Sequence, residues 1–386
     1  MGNINNQEIP YIRLEKKDAQ DFINFIKNNL KNKEIINQKF KILHENDYIL
    51  FPIFDNQVIK YEITKAIDNQ ISFELISKEG IPNENYKYRT LQEALENKIP
   101  DKYLGLIPKS YDIIGHIAVI EFDEFNYIND KEFNEYKEKI AKAITGVNKN
   151  VETVYEKKSQ IKGKYRLREL EHLYGEDKSE TVHKENDCAF KLDIKKTYFS
   201  PRLVFERRRI ASSEIKNNEL IVDLFAGVGT FSIQIAKKKD VKIYAFDVNP
   251  NAYKYLKENV KINKIKGEIL LEVVDVKDLL ESTNQLGKNL FHKADRIIMN
   301  LPENSINFID VACFLMKESG GILHFYQFSE KPDPVEKTLN NLEKELARLN
   351  WEIETSINSK IVKHYSPKSE LVVVDLKIKA SNEWRT

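Results

Sequence analysis

The sequence predicts an α/β protein: a Rossmann-like, doubly wound sheet of seven strands in the C-terminal part, preceded by two smaller α+β domains. Three observations carry this. From about residue 210, strand-like apolar runs alternate with helix-like segments, the pattern of a parallel sheet covered on both faces. The first of those runs leads into a glycine pair, "VDLFAGVGTF", at the end of a strand, where such sheets hold ligands. The last two strand-like runs, 351–357 and 371–379, have no helix between them, so they are expected to pair antiparallel at the sheet edge.

Taken in order, residues 10–98 read as a small α+β unit. Asp18 is placed to cap a helix whose apolar positions Ala19, Phe22, Ile23, Ile26 and Leu30 follow helical spacing. "KFKILHENDYILFPI" reads as two strands about the turn Glu45, Asn46, Asp47, and further strands are expected at 58–63 and 71–76. This first domain, 1–98, carries neither a metal cluster nor a nucleophile–base pair and reads as a recognition module. Residues 98–114, with Pro100, Gly105 and Pro108, form the expected linker. A second domain, 110–208, opens with a strand at 113–122. A helix with Phe133, Tyr136, Ile140 and Ile144 on one face comes next, then a strand at 151–155. Phe190, Leu192 and Ile194 alternate as in a half-buried strand. The third domain, 209–386, has strands expected at 219–224, 242–247, 268–274, 295–300 and 321–328. Helices are expected at 230–239, 250–262, 304–318 and 333–349.

Across 386 residues, 61 Lys and Arg meet 60 Asp and Glu, so net charge alone points to no partner. Its distribution does. Residues 157–209 hold 15 Lys and Arg against 9 Asp and Glu, a local basic surface suited to a phosphate backbone or, equally, to plain solvation. Cys188 and Cys313 are too few and too isolated for a disulfide framework or a zinc cluster. His183 and Glu185 in "TVHKEN" lack further metal partners and read as loop or hydrogen-bonding residues, so no metal site is expected. No run approaches 18 apolar residues, the start shows no basic and apolar leader, and Asn6 breaks the myristoylation pattern. The expectation is a cytoplasmic monomer without membrane attachment.

The glycine pair narrows the ligand. A dinucleotide site wants a third glycine three residues after the second, and Ser232 stands there. Carboxylates end the first three strands instead: Asp223 before the glycines, Asp247 suitably placed for two ribose hydroxyls, and Asp275 for an adenine amine. Singly, these read as a helix cap, a turn residue and an exposed strand end. Together, with Gly227 and Gly229 between the first two, they suit S-adenosylmethionine better than NAD, because a pyrophosphate is repelled by an extra carboxylate and a cationic sulfonium is not. The fourth strand ends in Asn300, Leu301, Pro302, where related methyltransferases carry Asn/Asp-Pro-Pro-aromatic to hold a planar nitrogen nucleophile. Leu301, and Glu303 in place of an aromatic, argue against an exocyclic-amine methylase.

With these stretches in view, the chain resembles the archaeal and eukaryotic tRNA (guanine-N1)-methyltransferases that act on the guanosine 3′ of the anticodon, position 37. The stretches that carry the resemblance are "GKYRLRELEHLYG", "ETVHKENDCAFKLD", "YFSPRLVFERRRI", "VDLFAGVGTFSI", "AFDVNPNAYKYLKENVKIN", "MNLPENSINFID" and "KHYSPKSELVVVDLKI", spread over residues 105–380. Thr230 departs from the proline expected after the second glycine. The resemblance implies a tRNA partner and S-adenosylmethionine as cofactor. It implies that Glu206 takes the N1 proton, that Arg166 stabilises charge on guanine O6, and that Asn300 holds the base. Tyr198, Arg202 and Pro302 would shape the guanine pocket, and Asp223, Phe225, Gly227, Gly229, Asp247, Val248, Asp275 and Asn300 would meet the cofactor. Outside the resemblance, Glu206 beside Arg207, Arg208 and Arg209 reads as a salt-bridged surface residue, Arg166 as a phosphate contact and Tyr198 as core. Competing readings are methylation of a wyosine intermediate at the same tRNA position, transfer of the aminocarboxypropyl group, and a catalytically silent tRNA-binding protein.

Overall fold

Residues 8–29, 35–55, 71–96, 98–122 and 131–381 are described in a computed structural model of the chain. They belong to two units, Met1–Arg89 and Thr90–Thr386. In the first, strands β1 (Glu8–Glu15), β2 (Leu43–Glu45), β3 (Tyr48–Pro52) and β4 (Phe73–Glu79) form an antiparallel sheet in the order β2-β3-β1-β4. The chain reverses between β2 and β3 at Asn46, whose φ of 45° is a left-handed conformation that asparagine tolerates. The helix Ala19–Asn29 buries Phe22 against Ile12, Leu14, Phe51 and Ile53 of the sheet. Asp18 does not precede this helix as a cap: it closes a short 3-10 turn, Lys16–Asp18, that runs straight into it. The strand expected at 71–76 is β4; the one expected at 58–63, and Leu30, lie outside the described residues.

The second unit begins earlier than the sequence suggested. The expected linker 98–114 holds a short helix, Asp101–Leu104, and β5 (Asp112–Ile114), and it belongs to the same unit as the strands after it. Strands β5, β6 (Ile117–Ile120), β7 (Thr153–Lys157) and β8 (Leu170–Tyr174) make a four-stranded sheet, with the helix Lys131–Val147 crossing from β6 to its parallel neighbour β7. The single strand expected at 113–122 is therefore a hairpin, broken at Gly115, where φ is 59° and an added Cβ would meet Thr181 Oγ1 at 2.1 Å. A two-stranded ribbon, β9 (Glu180–Glu185) and β10 (Cys188–Asp193), buries Phe190 and Leu192.

This ribbon is fastened to the C-terminal part. On the helix Pro250–Ile262, Asn259 accepts from Lys191 N–H at 2.7 Å and donates to its carbonyl at 3.0 Å, while Asn263, just beyond, accepts from Ala189 N–H at 3.0 Å. Paired backbone groups and a shared apolar contact explain why the expected domains 110–208 and 209–386 form one unit.

The seven-stranded sheet comprises β11 (Leu220–Asp223), β12 (Lys242–Asp247), β13 (Glu268–Val273), β14 (Arg296–Met299), β15 (Gly321–Glu330), β16 (Trp351–His364) and β17 (Ser369–Ala380), in the order β13-β12-β11-β14-β15-β17-β16. The first five run parallel and β17 runs antiparallel to both neighbours. The final pair is antiparallel at the sheet edge, as expected, with β16 outermost and β17 between it and β15. The reason is in the residues, since 371–376, "LVVVDL", is buried on both faces as an interior strand must be, whereas most of β16 is exposed or half-buried. The helix expected at 304–318 is a 3-10 turn, Ser305–Phe308, followed by the helix Ile309–Leu315.

Candidate active site

The glycine loop joins β11 to the helix Thr230–Lys238 at the carboxyl edge of the sheet, and its two glycines do different work. Gly227, at φ 56°, donates its N–H to Asp247 Oδ2 at 2.8 Å, and an added Cβ would find its nearest atom, the Tyr198 carbonyl oxygen, 4.0 Å away. That is open space, left for a ligand. Gly229, at φ 90°, faces the other way: a Cβ there would meet Leu256 Cδ1 at 2.2 Å, so this glycine lets two helices touch and does not line the cavity as expected. Thr230 begins the helix, where proline is favoured but not required. Ser232, the residue that stands for the third glycine, donates its hydroxyl to Asp223 Oδ2 at 2.7 Å.

A cavity of about 160 Å³ opens beside this loop. Phe225, Val248, Asp247, Asp275 and Asn300 line it. Asp247 is clasped by N–H groups of Gly227 and Asn249, each at 2.8 Å, and burial raises its carboxyl. Asp275 is exposed enough to pair with Lys164 at 2.9 Å, which holds its carboxyl below the usual range. Asn300 Oδ1 is buried without a hydrogen-bond partner among the described residues, an arrangement that costs about 1–3 kcal/mol unless a ligand supplies the donor. Asp223 is completely buried behind the loop rather than on the cavity wall, and burial pushes its carboxyl up to about 7, with the Ser232 hydroxyl opposing.

A second cavity, of about 330 Å³, shares Arg166 and Tyr198 with the first. Arg202 lines it, held by Asp112 at 2.7 Å; Pro302 lines neither cavity and is instead buried, its carbonyl accepting from Phe328 N–H at 2.8 Å. Lys157, Arg168 and Lys363 add to the cationic wall. Burial, then Arg202, pushes the Lys363 amine down, as expected where positive groups crowd without enough anions. Tyr365 stacks on Phe328 with ring centroids 3.8 Å apart. Much of the charge counted in 157–209 is neutralised internally: Lys191, Lys195, Arg207 and Arg209 all sit in ion pairs. In the cavity wall Lys157 likewise pairs with Asp112 and Glu121, and Arg202 with Asp112, so its positive field rests most on Arg168 and Lys363. Glu303, Lys164 and Lys363 escaped the sequence reading as site residues, although Lys363 begins the stretch "KHYSP" that carries part of the resemblance.

Arg166 and Tyr198 meet, the guanidinium lying 5.4 Å from the ring centroid. Glu206 does not join them. It is 3% exposed on the helix Val204–Ala211, where Oε2 accepts from Arg209 Nε at 2.9 Å and Tyr326 Oη at 3.3 Å, and Oε1 pairs with Lys360 at 2.6 Å. It is neither a surface residue nor a member of either cavity wall. Its link to the large cavity is indirect: Tyr326, which donates to Glu206, stands two residues before the cavity-lining Phe328 on the same face of β15. His183 and Glu185 are in β9, not a loop. Glu185 pairs with the buried Arg207, and His183 Nδ1 accepts from Gly115 N–H at 3.1 Å. Among the described residues no group of three or more His, Cys, Asp or Glu is gathered to hold a metal ion, and no helix is long and apolar enough to cross a membrane.

Residues 181–354 match the family model for the TRM5/TYW2 methyltransferase domain, and residues 91–178 that for the TYW2 N-terminal domain. The Trm5b tRNA (guanine(37)-N(1))-methyltransferases of Methanocaldococcus jannaschii and Pyrococcus abyssi are 37% and 35% identical to the chain, over 92% and 89% of it and 94% and 92% of themselves. The chain belongs to the TRM5/TYW2 methyltransferase family. Another relative, the tRNA(Phe) (4-demethylwyosine(37)-C(7)) aminocarboxypropyltransferase of Pyrococcus horikoshii, is 33% identical over 75% of the chain and 96% of itself. Among solved structures of this family, a complex of aTrm5 and tRNALeu is 31% identical, with a TM-score of 0.69 over 95% of the chain and 99% of its own length. TYW2 of M. jannaschii in complex with AdoMet is 26% identical, with a TM-score of 0.51 over 70% of the chain and 100% of its own length. The seven-stranded sheet is accordingly that of a class I methyltransferase, and the cofactor is S-adenosylmethionine.

Proposed function

We propose that this protein methylates N1 of guanosine 37 in tRNA. The observation that carries the reading is the meeting of two cavities at Arg166 and Tyr198, one walled by carboxylates and an unsatisfied asparagine, the other by cations and aromatic rings. Likeness to Trm5b enzymes over nearly the whole chain supports it. So does a matter of size: the aminocarboxypropyltransferase leaves a quarter of this chain unmatched, about the length of the Met1–Arg89 unit. We assign that unit to tRNA recognition.

The residues fit the cofactor. Gly227 leaves room for its approach, Asp247 suits the ribose hydroxyls, Asp275 the adenine amine, and Asn300 Oδ1 needs a donor. When bound, S-adenosylmethionine supplies a methyl group on a sulfonium, a ready electrophile. What remains is to make guanine N1 a nucleophile, because that nitrogen carries a proton. Arg166, above Tyr198, faces the charge that gathers on O6 as the proton leaves, and a preorganised donor of this kind is worth about 3 kcal/mol. Proton removal falls to Glu206. Because Lys360 occupies Oε1, Glu206 can accept only after Lys360 lets go, and a tRNA phosphate offers that lysine, 42% exposed, another partner.

Incubation of the purified protein with labelled S-adenosylmethionine and an unmodified tRNA transcript, followed by nucleoside mass analysis, tests the reading. One 1-methylguanosine per tRNA is expected, and none when guanosine 37 is replaced by adenosine. No methylated guanosine, with a mass gain equal to an aminocarboxypropyl group on a tRNA bearing 4-demethylwyosine, would refute it. Likeness to the tRNA 4-demethylwyosine(37)-methyltransferase Taw21 of Saccharolobus solfataricus, 33% identical over 70% of the chain and 94% of itself, favours one second reading, methylation of 4-demethylwyosine at the same position. A tRNA carrying that base, offered in the same assay, decides it.

A further inference from the structure

Arg166 sits in a backbone conformation that needs an explanation. It comes three residues after Gly163 in a tight turn closed by hydrogen bonds between Lys162 and Leu167, N–H to carbonyl at 2.8 Å one way and 3.2 Å the other. Its φ is 56°, the left-handed region, and Arg166 is neither a glycine nor an asparagine. Such a residue persists only where its surroundings over-determine it. Here they do. Nη1 lies 2.6 Å from Glu303 Oε2 and Nη2 donates to Oε1 at 3.0 Å, a two-pronged grip that fixes both the position and the plane of the guanidinium. The Arg166 side chain is only 12% exposed, so this is not a solvated rim pair.

We propose that Glu303 is a positioning residue for Arg166, acting through it on the reaction. This rests on the proposed function, in which Arg166 faces the charge developing on guanine O6. A guanidinium has five N–H groups, and the fork to Glu303 spends two, leaving three for substrate. Glu303 also stands three residues after Asn300, on the loop after β14. One loop thus sets both the group that faces the cofactor and the group that aims the arginine, which keeps the two in register. The wedge of Tyr198 under the guanidinium limits its movement away from that aim. A free arginine would sample many rotamers, and a misplacement of about 1 Å can cost 10²-fold in rate.

The test is a double-mutant cycle in the full-length protein. Single-turnover methylation of a tRNA transcript is measured for the wild type, Glu303→Ala, Arg166→Ala and the double variant, with affinities for tRNA and for S-adenosylhomocysteine measured alongside. Glu303→Ala should slow methyl transfer roughly 10- to 100-fold, with both affinities within threefold of wild type. Glu303→Gln, which keeps one acceptor, should recover part of the rate. In the Arg166→Ala background, losing Glu303 should cost nothing further. Additive losses would overturn the inference, because Glu303 would then act independently of Arg166. A slow Arg166→Ala beside a Glu303→Ala at wild-type rate overturns it too and leaves the role of Arg166 standing; Arg166→Ala at wild-type rate overturns both.

Discussion

At Asp223, burial and charge pull against each other. The carboxyl has no exposure, and its affinity for a proton rises from 3.8 to about 7 in the folded chain. Between roughly pH 4 and 7 the folded form keeps a proton that the unfolded form has released, so stability falls as pH rises through that window and levels above it. The loss is on the order of 4 kcal/mol at most. Asp223→Asn removes it while still accepting from Ser232; the thermal midpoint at pH 8 should rise, with little change at pH 4. Equal gains at both pH values would mean that the charge is not what costs. For Glu206→Gln, methyl transfer should fall roughly 10²–10⁴-fold, the usual worth of a positioned base. Affinities should change little, and higher pH should restore part of the rate. A variant within threefold of wild type would make Glu206 an anchor for Arg209 and Lys360 instead. Residues at strand ends were legible in the sequence because topology alone puts Asp247, Asp275 and Asn300 at one edge. Glu303 was not: its partner is 137 residues away, and no local pattern records such a contact.

Helices and strands separate the two glycines that a sequence motif lumps together. Gly229→Ala must push a methyl into Leu256 Cδ1 at 2.2 Å and hold alanine at φ 90°, so it should destabilise the protein by about 2–3 kcal/mol, visible in urea unfolding. Gly227→Ala has room, costs only about 1 kcal/mol for its left-handed backbone, and should fold. Its methyl enters the space left for the cofactor, so calorimetry should find S-adenosylmethionine binding lost. If Gly227→Ala bound normally, the glycine would serve the turn and not the ligand. The same scale shows why the final antiparallel pair was legible while the order of its two strands was not. Alternation of strands and helices dictates a parallel sheet, but an interior antiparallel strand is betrayed only by apolar residues on both faces, as in "LVVVDL" with Asp375 its one polar member. The hairpin at Gly115 was hidden for a similar reason: "IIGHIAVI", apolar but for Gly115 and His116, reads as one strand unless those two residues are given weight as a turn.

For the whole molecule, the division at Arg89 sets the sharpest expectation. All residues that line the two cavities lie in Thr90–Thr386, so a chain lacking residues 1–89 keeps the entire cofactor site and the cationic wall. It should bind S-adenosylmethionine as tightly as the full chain. If the first unit supplies a second foothold on tRNA, its removal should weaken tRNA binding roughly 10²-fold, since a tethered second contact acts at high effective concentration. At saturating tRNA the methyl-transfer rate should then return to that of the full chain. Salt separates the two contributions. The cavity holds Lys157, Arg168, Arg202 and Lys363, and each phosphate they neutralise adds to the steepness with which affinity falls on a logarithmic salt axis. Most of that slope should survive the truncation. Binding of the full and shortened chains to one transcript across a salt series gives both numbers. A shortened chain with undiminished affinity, or one with a flat salt dependence, would place the recognition elsewhere than in these two surfaces.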